Sequence, residues 1–290
     1  VTKRAREGSF FLHEPQHGSF FPPYLSAMEV LFDPLGKPLD LSRPPRRIVS
    51  LVPSQTELLW DLGLDAEVAG ITKFCIHPDQ WFRTKPRVGG TKQVHAERVE
   101  ALAPDLILAN KEENVREQVE HLAQRFPTWV SDISNLGEAL NMIRCVGRLA
   151  HREKQADSIA LSTEEGFASL QQLPGNGPTV AYLLWREPYM SVGQDTFIHD
   201  LLQRLGLRNV MGNRMRYPEV TVEQLQGCDF LLLSSEPYPF RQKHIDELQA
   251  QLPDSRILLV DGELFSWYGS RLLHTPAYFR KLRQEMGLIP

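Results

Sequence analysis

From Arg47 onward, short runs of β-branched and leucine residues alternate with stretches of helical period. This alternation constrains the fold more than any other feature, because strands joined by helical crossovers pair in parallel. Runs at 48–52, 68–72, 106–109 and 129–131 read as strands of one sheet, and runs at 179–184, 230–233 and 257–260 as strands of a second. A chain of 290 residues accommodates two lobes of about 100 to 150 residues each. After the first strand, Ser54 is read as the cap of a short helix through Thr56, Leu58 and Leu62, with Gly63 as its stop.

A longer helical pattern lies between the two series. Apolar residues recur at Leu136, Leu140, Ile143, Leu149, Ile159, Phe167 and Leu170, and no proline intervenes before Pro174. Asn135 followed by Glu138 fits a capping box. One helix of about 30 residues would span about 45 Å; the alternative is a break near Gly147 or Gly166. The run Pro174-Gly175-Asn176-Gly177-Pro178 reads as the loop that ends it. The expected organisation is an irregular N-terminal arm over 1–45, an α/β lobe over 46–134, a connecting helix over 135–173 and a second α/β lobe over 174–290. The fold class is thus α/β: two lobes, each with a mostly parallel sheet flanked by helices, joined by one long backbone helix. The halves also resemble each other, since Asp105 and Glu112 bracket one apolar run as Asp229 and Glu236 bracket another.

Composition narrows the function. A net charge of −4 without a dense Lys/Arg block gives a polyanion little to hold, so nucleic acid is not an expected partner. Three widely spaced cysteines without a CxxC pair indicate neither a disulfide scaffold nor a structural zinc site. No apolar run reaches the length of a membrane span, and the start lacks the layout of a signal peptide. As written, the chain is expected in the cytoplasm, or in the periplasm if its native start carries an export signal. It is read as a monomer.

In an open parallel sheet, ligands sit beyond the carboxyl ends of the strands. The segments there offer Pro53, Ser54 and Gln55; Cys75 and His77; Gly90, Thr91 and Lys92; and Glu112 in the first half. The second half offers Trp185, Tyr189, Phe265, Trp267 and Tyr268. Aromatic faces with a few polar anchors suit a large flat ligand, and the same rings also serve as ordinary packing. Cys75 and His77 could give an axial bond to a metal carried by such a ligand, or an activated nucleophile. The alternative for the pair is a buried thiol beside a histidine bonded to backbone. Glu112 and Glu113 with Lys92 form either a polar clamp or a salt-bridged rim. The run Gly89-Gly90-Thr91-Lys92 lacks the spacing of a phosphate loop, and no GxSxG, HExxH or kinase set occurs. No catalytic constellation or intrinsic cofactor is expected, and an enzyme or sensor reading rests on Cys75 and His77.

Residues 47–63 (RIVSLVPSQTELLWDLG) and 97–107 (ERVEALAPDLI) resemble signatures of the cobalamin and iron-siderophore substrate-binding proteins, the helical-backbone metal receptor superfamily, which is class III periplasmic-binding-protein-like. The resemblance extends from about Arg47 to the C-terminus. It implies capture of a cobalamin-like corrinoid or a ferric siderophore between two lobes, for uptake by an ABC transporter. It also implies a glutamate on each lobe that docks onto the permease: Glu97 by its Glu-Arg-hydrophobic context, and Glu223 within 220–225.

Overall fold

The structure, a computed structural model, describes residues 30–40, 42–170, 173 and 177–290. Most of the expected N-terminal arm and most of the loop at 174–178 lie outside these residues. Where the arm is described, Asp33 Oδ1 accepts from the Leu35 and Lys37 amides at 2.9 and 2.7 Å, and Leu31 is buried.

The elements follow in the order β1 (Ile48–Ser50), α1 (Pro53–Asp61), β2 (Val68–Ile71), α2 (Asp79–Thr84), α3 (Ala96–Ala101), β3 (Leu106–Asn110), α4 (Arg116–Ala123) and β4 (Thr128–Ser131). Two helices, α5 (Leu136–Leu149) and α6 (Glu153–Ala168), lead to β5 (Thr179–Leu183), α7 (Phe197–Arg204), β6 (Arg208–Asn209), β7 (Phe230–Ser234), α8 (Gln242–Gln249), β8 (Arg256–Val260), α9 (Glu263–Ser266) and α10 (Thr275–Glu285). All strand pairs are parallel. The sheet orders are β2-β1-β3-β4 and β6-β5-β7-β8, so the two lobes share one topology. In each, the order reverses between the two central strands, where a crevice opens beyond the carboxyl ends.

The internal repeat read from the sequence has a structural counterpart. Asp105, just before β3, accepts from the Arg46 and Arg47 amides, both at 2.8 Å; Asp229, just before β7, accepts from the Thr179 amide at 2.7 Å. Each aspartate ties the start of its own strand to the start of its neighbour. At the other end, Asn110 Oδ1 accepts from the Glu112 amide at 2.9 Å, and Ser234 Oγ from the Glu236 amide at 3.3 Å.

Two expectations need correction. Ser54 does not cap α1: the cap position is Val52, without a side-chain bond, and Pro53 occupies the first turn, where its missing N–H costs nothing. Gly63 does end the helix, with φ of +74°, the left-handed conformation that glycine adopts without strain.

The single connecting helix is instead a helical hairpin that breaks at residues 150–152, near Gly147 and not near Gly166. His151 turns left-handed, with φ of +52°, and α6 runs back along α5. Arg144 accordingly reaches Asp157 at 3.6 Å and Glu164 at 3.9 Å. Gly147 sits so close to α6 that a Cβ there would lie 2.3 Å from that of Ala156. Leu149 and Ala156 are seven residues apart and both buried, so the apolar phase runs through the turn unchanged, which conceals the break from a periodicity argument. Asn135 accepts from the Glu138 amide at 3.0 Å, while Glu138 returns its bond to Ser134, one residue outside the capping box.

The hairpin stiffens the join between lobes. One buried cluster continues from Ile71 and Leu108 through Ile143, Ala156 and Ala160 to Tyr182 and Leu232. The Leu136 amide donates to Asp200 of α7 at 2.9 Å, and Arg152 at the other end meets Glu67 at 3.3 Å. Among the described residues no helix is long and apolar enough to cross a membrane.

Candidate ligand-binding site

Three sequence segments build the mouth of the N-terminal lobe. Asn110, the last residue of β3, accepts from the Glu112 and Glu113 amides at 2.9 and 3.1 Å, folding the next residues into a tight turn. Asn114 closes it, accepting from the Asn110 amide at 2.8 Å and donating to the Leu51 and Thr91 carbonyls at 3.2 and 3.1 Å. One asparagine thereby fastens the turn after β3 to the segment after β1 and to the connection between α2 and α3. Behind Gly90 lie Lys73 and Phe74: a Cβ on Gly90 would stand 3.2 Å from each. Lys73 Nζ is 5.0 Å from the Phe74 ring centre, and that ring is half exposed. Lys92 Nζ donates to the Glu112 carbonyl.

The C-terminal lobe meets this mouth at two places. On one side the Glu112 carboxylate pairs with Arg216 and accepts from Tyr217 Oη at 2.9 Å. On the other, Arg271 holds Glu57 of α1 through Nε at 2.9 Å and Nη2 at 2.6 Å, and its Nη1 reaches Glu263 at 2.7 Å. His77 Nε2 lies 3.2 Å from both Glu263 oxygens, with its ring edge-on to Trp267 at 5.4 Å. Gly269 packs on the start of α1; a Cβ there would stand 2.5 Å from the Ser54 carbonyl oxygen.

Carboxylates crowd the space between. Burial raises the Glu113 carboxyl above its usual range; Lys92 opposes this, and Glu236 and Glu112 add to it. Glu236, from the opposite lobe, is also raised by burial, against the bonds from Ser266 Oγ at 2.6 Å and Trp267 Nε1 at 2.9 Å. Tyr268 is buried, and its hydroxyl is raised by burial and by the charges of Glu113 and Glu112.

The sequence-based site residues thus divide. Gly90, Thr91, Lys92, Glu112, His77, Trp267 and Tyr268 belong to this meeting of loops. Pro53, Ser54 and Gln55 form the first turn of α1 beneath it, with Gln55 Nε2 donating to Ser131 Oγ at 2.6 Å. Cys75 and Phe265 are core residues with 0% exposure. Thr56 and Thr72 hydroxyls flank the Cys75 sulfur at 3.1 and 3.2 Å, and burial pushes its thiol up, so neither a thiolate nucleophile nor an axial ligand is presented. Among the described residues no group of three or more His, Cys, Asp or Glu is arranged to hold a metal ion. Trp185 is 40% exposed at the carboxyl end of β5 and meets Tyr238 edge-on at 5.9 Å; Tyr189 packs against the smaller cluster of that lobe. No described contact joins either to the N-terminal motifs. Glu97 stands in the first turn of α3, with its side chain 75% exposed. Glu223 opens the turn Glu223–Leu225, itself exposed while Leu225 is buried, and its carboxyl is lowered first by the Thr221 hydroxyl. These turns precede β3 and β7, so the two glutamates occupy matching places in the lobes.

Sequence reasoning missed Glu57, Arg216, Tyr217 and Glu263. They lie on α1, on α9 or in a loop without motif character, and their role comes from partners more than 100 residues away in the chain. Glu236 alone had a signal, through its match to Glu112.

Comparison with known proteins follows the same outline. The family described as "Periplasmic binding protein" matches residues 48–229, more than half of the chain. An uncharacterised ABC transporter substrate-binding lipoprotein of Bacillus subtilis is 25% identical over 67% of this chain and 64% of that protein, just under two thirds of its length. The vitamin B12-binding protein of Pectobacterium carotovorum is 24% identical over 79% of this chain and 85% of its own. Among solved structures, the periplasmic vitamin B12 binding protein of Vibrio cholerae superposes with a TM-score of 0.68 at 19% identity, covering 84% of this chain and 98% of that one. A periplasmic heme-binding protein from Roseiflexus gives 0.71 at 20% identity, covering 83% and 97%. Fold, strand order and the extended sequence match agree: the chain belongs to the periplasmic binding protein family.

Proposed function

We propose that this protein is a substrate-binding protein that captures a corrinoid or another metal chelate, such as a ferric siderophore, between its two lobes for uptake by an ABC transporter. The observation that carries the reading is the meeting of the loops after β1, β2 and β3 with Arg216, Tyr217, Glu236 and Trp267 at the carboxyl ends of two like sheets. The metal is cargo held within the chelate, and the chain supplies shape, ring faces and hydrogen bonds. Phe74 and Trp185, one at the mouth of each lobe, are the exposed rings available for stacking.

The family is one of binding proteins, which fits the absence of a bond-making role in this reading. An enzyme or sensor built on Cys75 is set aside because its sulfur is enclosed. Glu97 and Glu223 are the residues we assign to permease docking, one per lobe. The relatives include a lipoprotein and periplasmic proteins, and the site of action we propose is accordingly outside the cytoplasmic membrane, in place of the cytoplasm.

Calorimetric titration with cyanocobalamin, ferrioxamine B and hemin tests the reading. Saturable binding of one chelate per chain supports it; no heat and no retained chromophore with any of the three contradicts it.

A further inference from the structure

The cleft has hydrogen-bond acceptors to spare. Of the carboxylates gathered there, Glu112 is matched by Arg216 and Tyr217, and Glu263 and Glu57 by Arg271. Glu113 and Glu236 are not matched in this way. The Glu113 carboxylate accepts no hydrogen bond among the described residues, and Lys92, the cation that compensates it, donates instead to the Glu112 carbonyl. Both bonds that reach Glu236 fall on Oε1.

Beneath them, enclosed by the chain itself, lies one more unpaired acceptor. Gln55 is 0% exposed; its Nε2 is used by Ser131, whose hydroxyl also accepts from Asn110 Nδ2 at 3.0 Å. Asn110 is the residue that seats Glu113. Gln55 Oε1 accepts nothing, and a buried acceptor left unpaired costs about 1 to 3 kcal/mol. The Glu113 carboxylate and Glu236 Oε2, which receive no donor among the described residues, are what a ligand rich in N–H groups would complete, and what a ligand bearing its own anions would meet as like charge.

We propose that the cleft selects metal chelates whose rim carries amide N–H or ammonium donors over chelates whose rim carries carboxylates or other anions, and that Glu113 and Glu236 make the selection. This rests on the chelate-binding reading and specifies its substrate class. The two glutamates come from opposite lobes, so a donor-bearing rim bridges them and an anionic rim is repelled by both.

One matched pair of probes isolates the rim from the metal and the ring, and a second pair compares chelates of opposite overall charge. Dicyanocobinamide carries amides where dicyanocobyrinic acid, the same corrin, carries carboxylates. Ferrioxamine B carries a free ammonium where ferric enterobactin is a trianion. Affinities are measured for the full chain and for the Glu113→Gln, Glu236→Gln double variant, whose near-identical shape preserves folding, checked by circular dichroism. In whichever pair binds, the donor-bearing member is expected to bind about tenfold tighter or better to the native protein, and the double variant to narrow that ratio by accepting the anionic member. An anionic member that binds as tightly as its partner, or a ratio unchanged in the variant, overturns the selection while leaving chelate capture intact. Failure of all four probes to bind overturns chelate capture itself.

Discussion

Arg271 of the C-terminal lobe grips Glu57 of the N-terminal lobe through two nitrogens, at 2.9 and 2.6 Å, across 214 residues of sequence. The same guanidinium reaches Glu263, and all three side chains are less than one fifth exposed. Removing the cation leaves two sheltered carboxylates facing each other. Arg271→Met is therefore expected to cost about 3 kcal/mol in urea unfolding, and adding Glu57→Gln to recover part of it. A loss under about 0.5 kcal/mol would mean the contact is an ordinary surface pair.

The unmatched carboxylate of Glu113 makes a prediction about pH. Its folded-state pKa lies above the ordinary value because of burial, opposed by Lys92 and reinforced by Glu236 and Glu112. The folded protein thus holds a proton that the unfolded chain releases, so stability falls as pH rises from about 4.3, the ordinary glutamate value, through the folded value. Glu113→Gln removes this dependence. The ligand-free variant is expected to melt above the native protein at pH 7.5 and level with it at pH 4. A variant that melts lower at pH 7.5 would show that Glu113 is compensated in the native cleft.

Much of the fold was legible because each step followed a local rule. The strands at 48–52, 106–109 and 230–233 were marked by apolar runs, and Asp105 and Asp229 announced the repeat by equal spacing. A break near Gly147 was an open alternative, but the reversal into a hairpin was not legible, since Leu149 and Ala156 keep the same heptad phase across it and His151 is not a usual helix breaker. At the site, Gly90, Lys92 and Glu112 stood out because they follow strands. Cys75 looked reactive for the same reason, yet Thr56 and Thr72 enclose it. Arg216 and Tyr217 were invisible, because their importance depends on a glutamate in the other lobe.

The hairpin offers its own test. Gly147 faces Ala156 so closely that even one added methyl must displace α6. Gly147→Val is expected to destabilise the protein by about 1 to 3 kcal/mol through overpacking, read from the urea midpoint. An unchanged midpoint would mean that the helices do not cross there.

The two exposed rings separate packing from recognition. Phe74 is 49% exposed and Trp185 40%, so each ring keeps about half or more of its surface packed, and truncation costs that packing without opening the core. Phe74→Ala and Trp185→Ala are each expected to cost about 1 to 2 kcal/mol in urea unfolding and to leave the protein folded. Affinity for a bound chelate should fall about 3-fold to 10-fold, the value of one lost ring contact. Unchanged affinity would assign that ring to the surface alone.

Hydrogen–deuterium exchange with and without saturating chelate measures where the ligand sits. Capture between the lobes requires slowed exchange in both halves at once: residues 73–77, 89–92 and 110–114 on one side, and 184–189, 214–218, 234–238 and 266–268 on the other. Protection confined to a single lobe, or lying away from these segments, would contradict it.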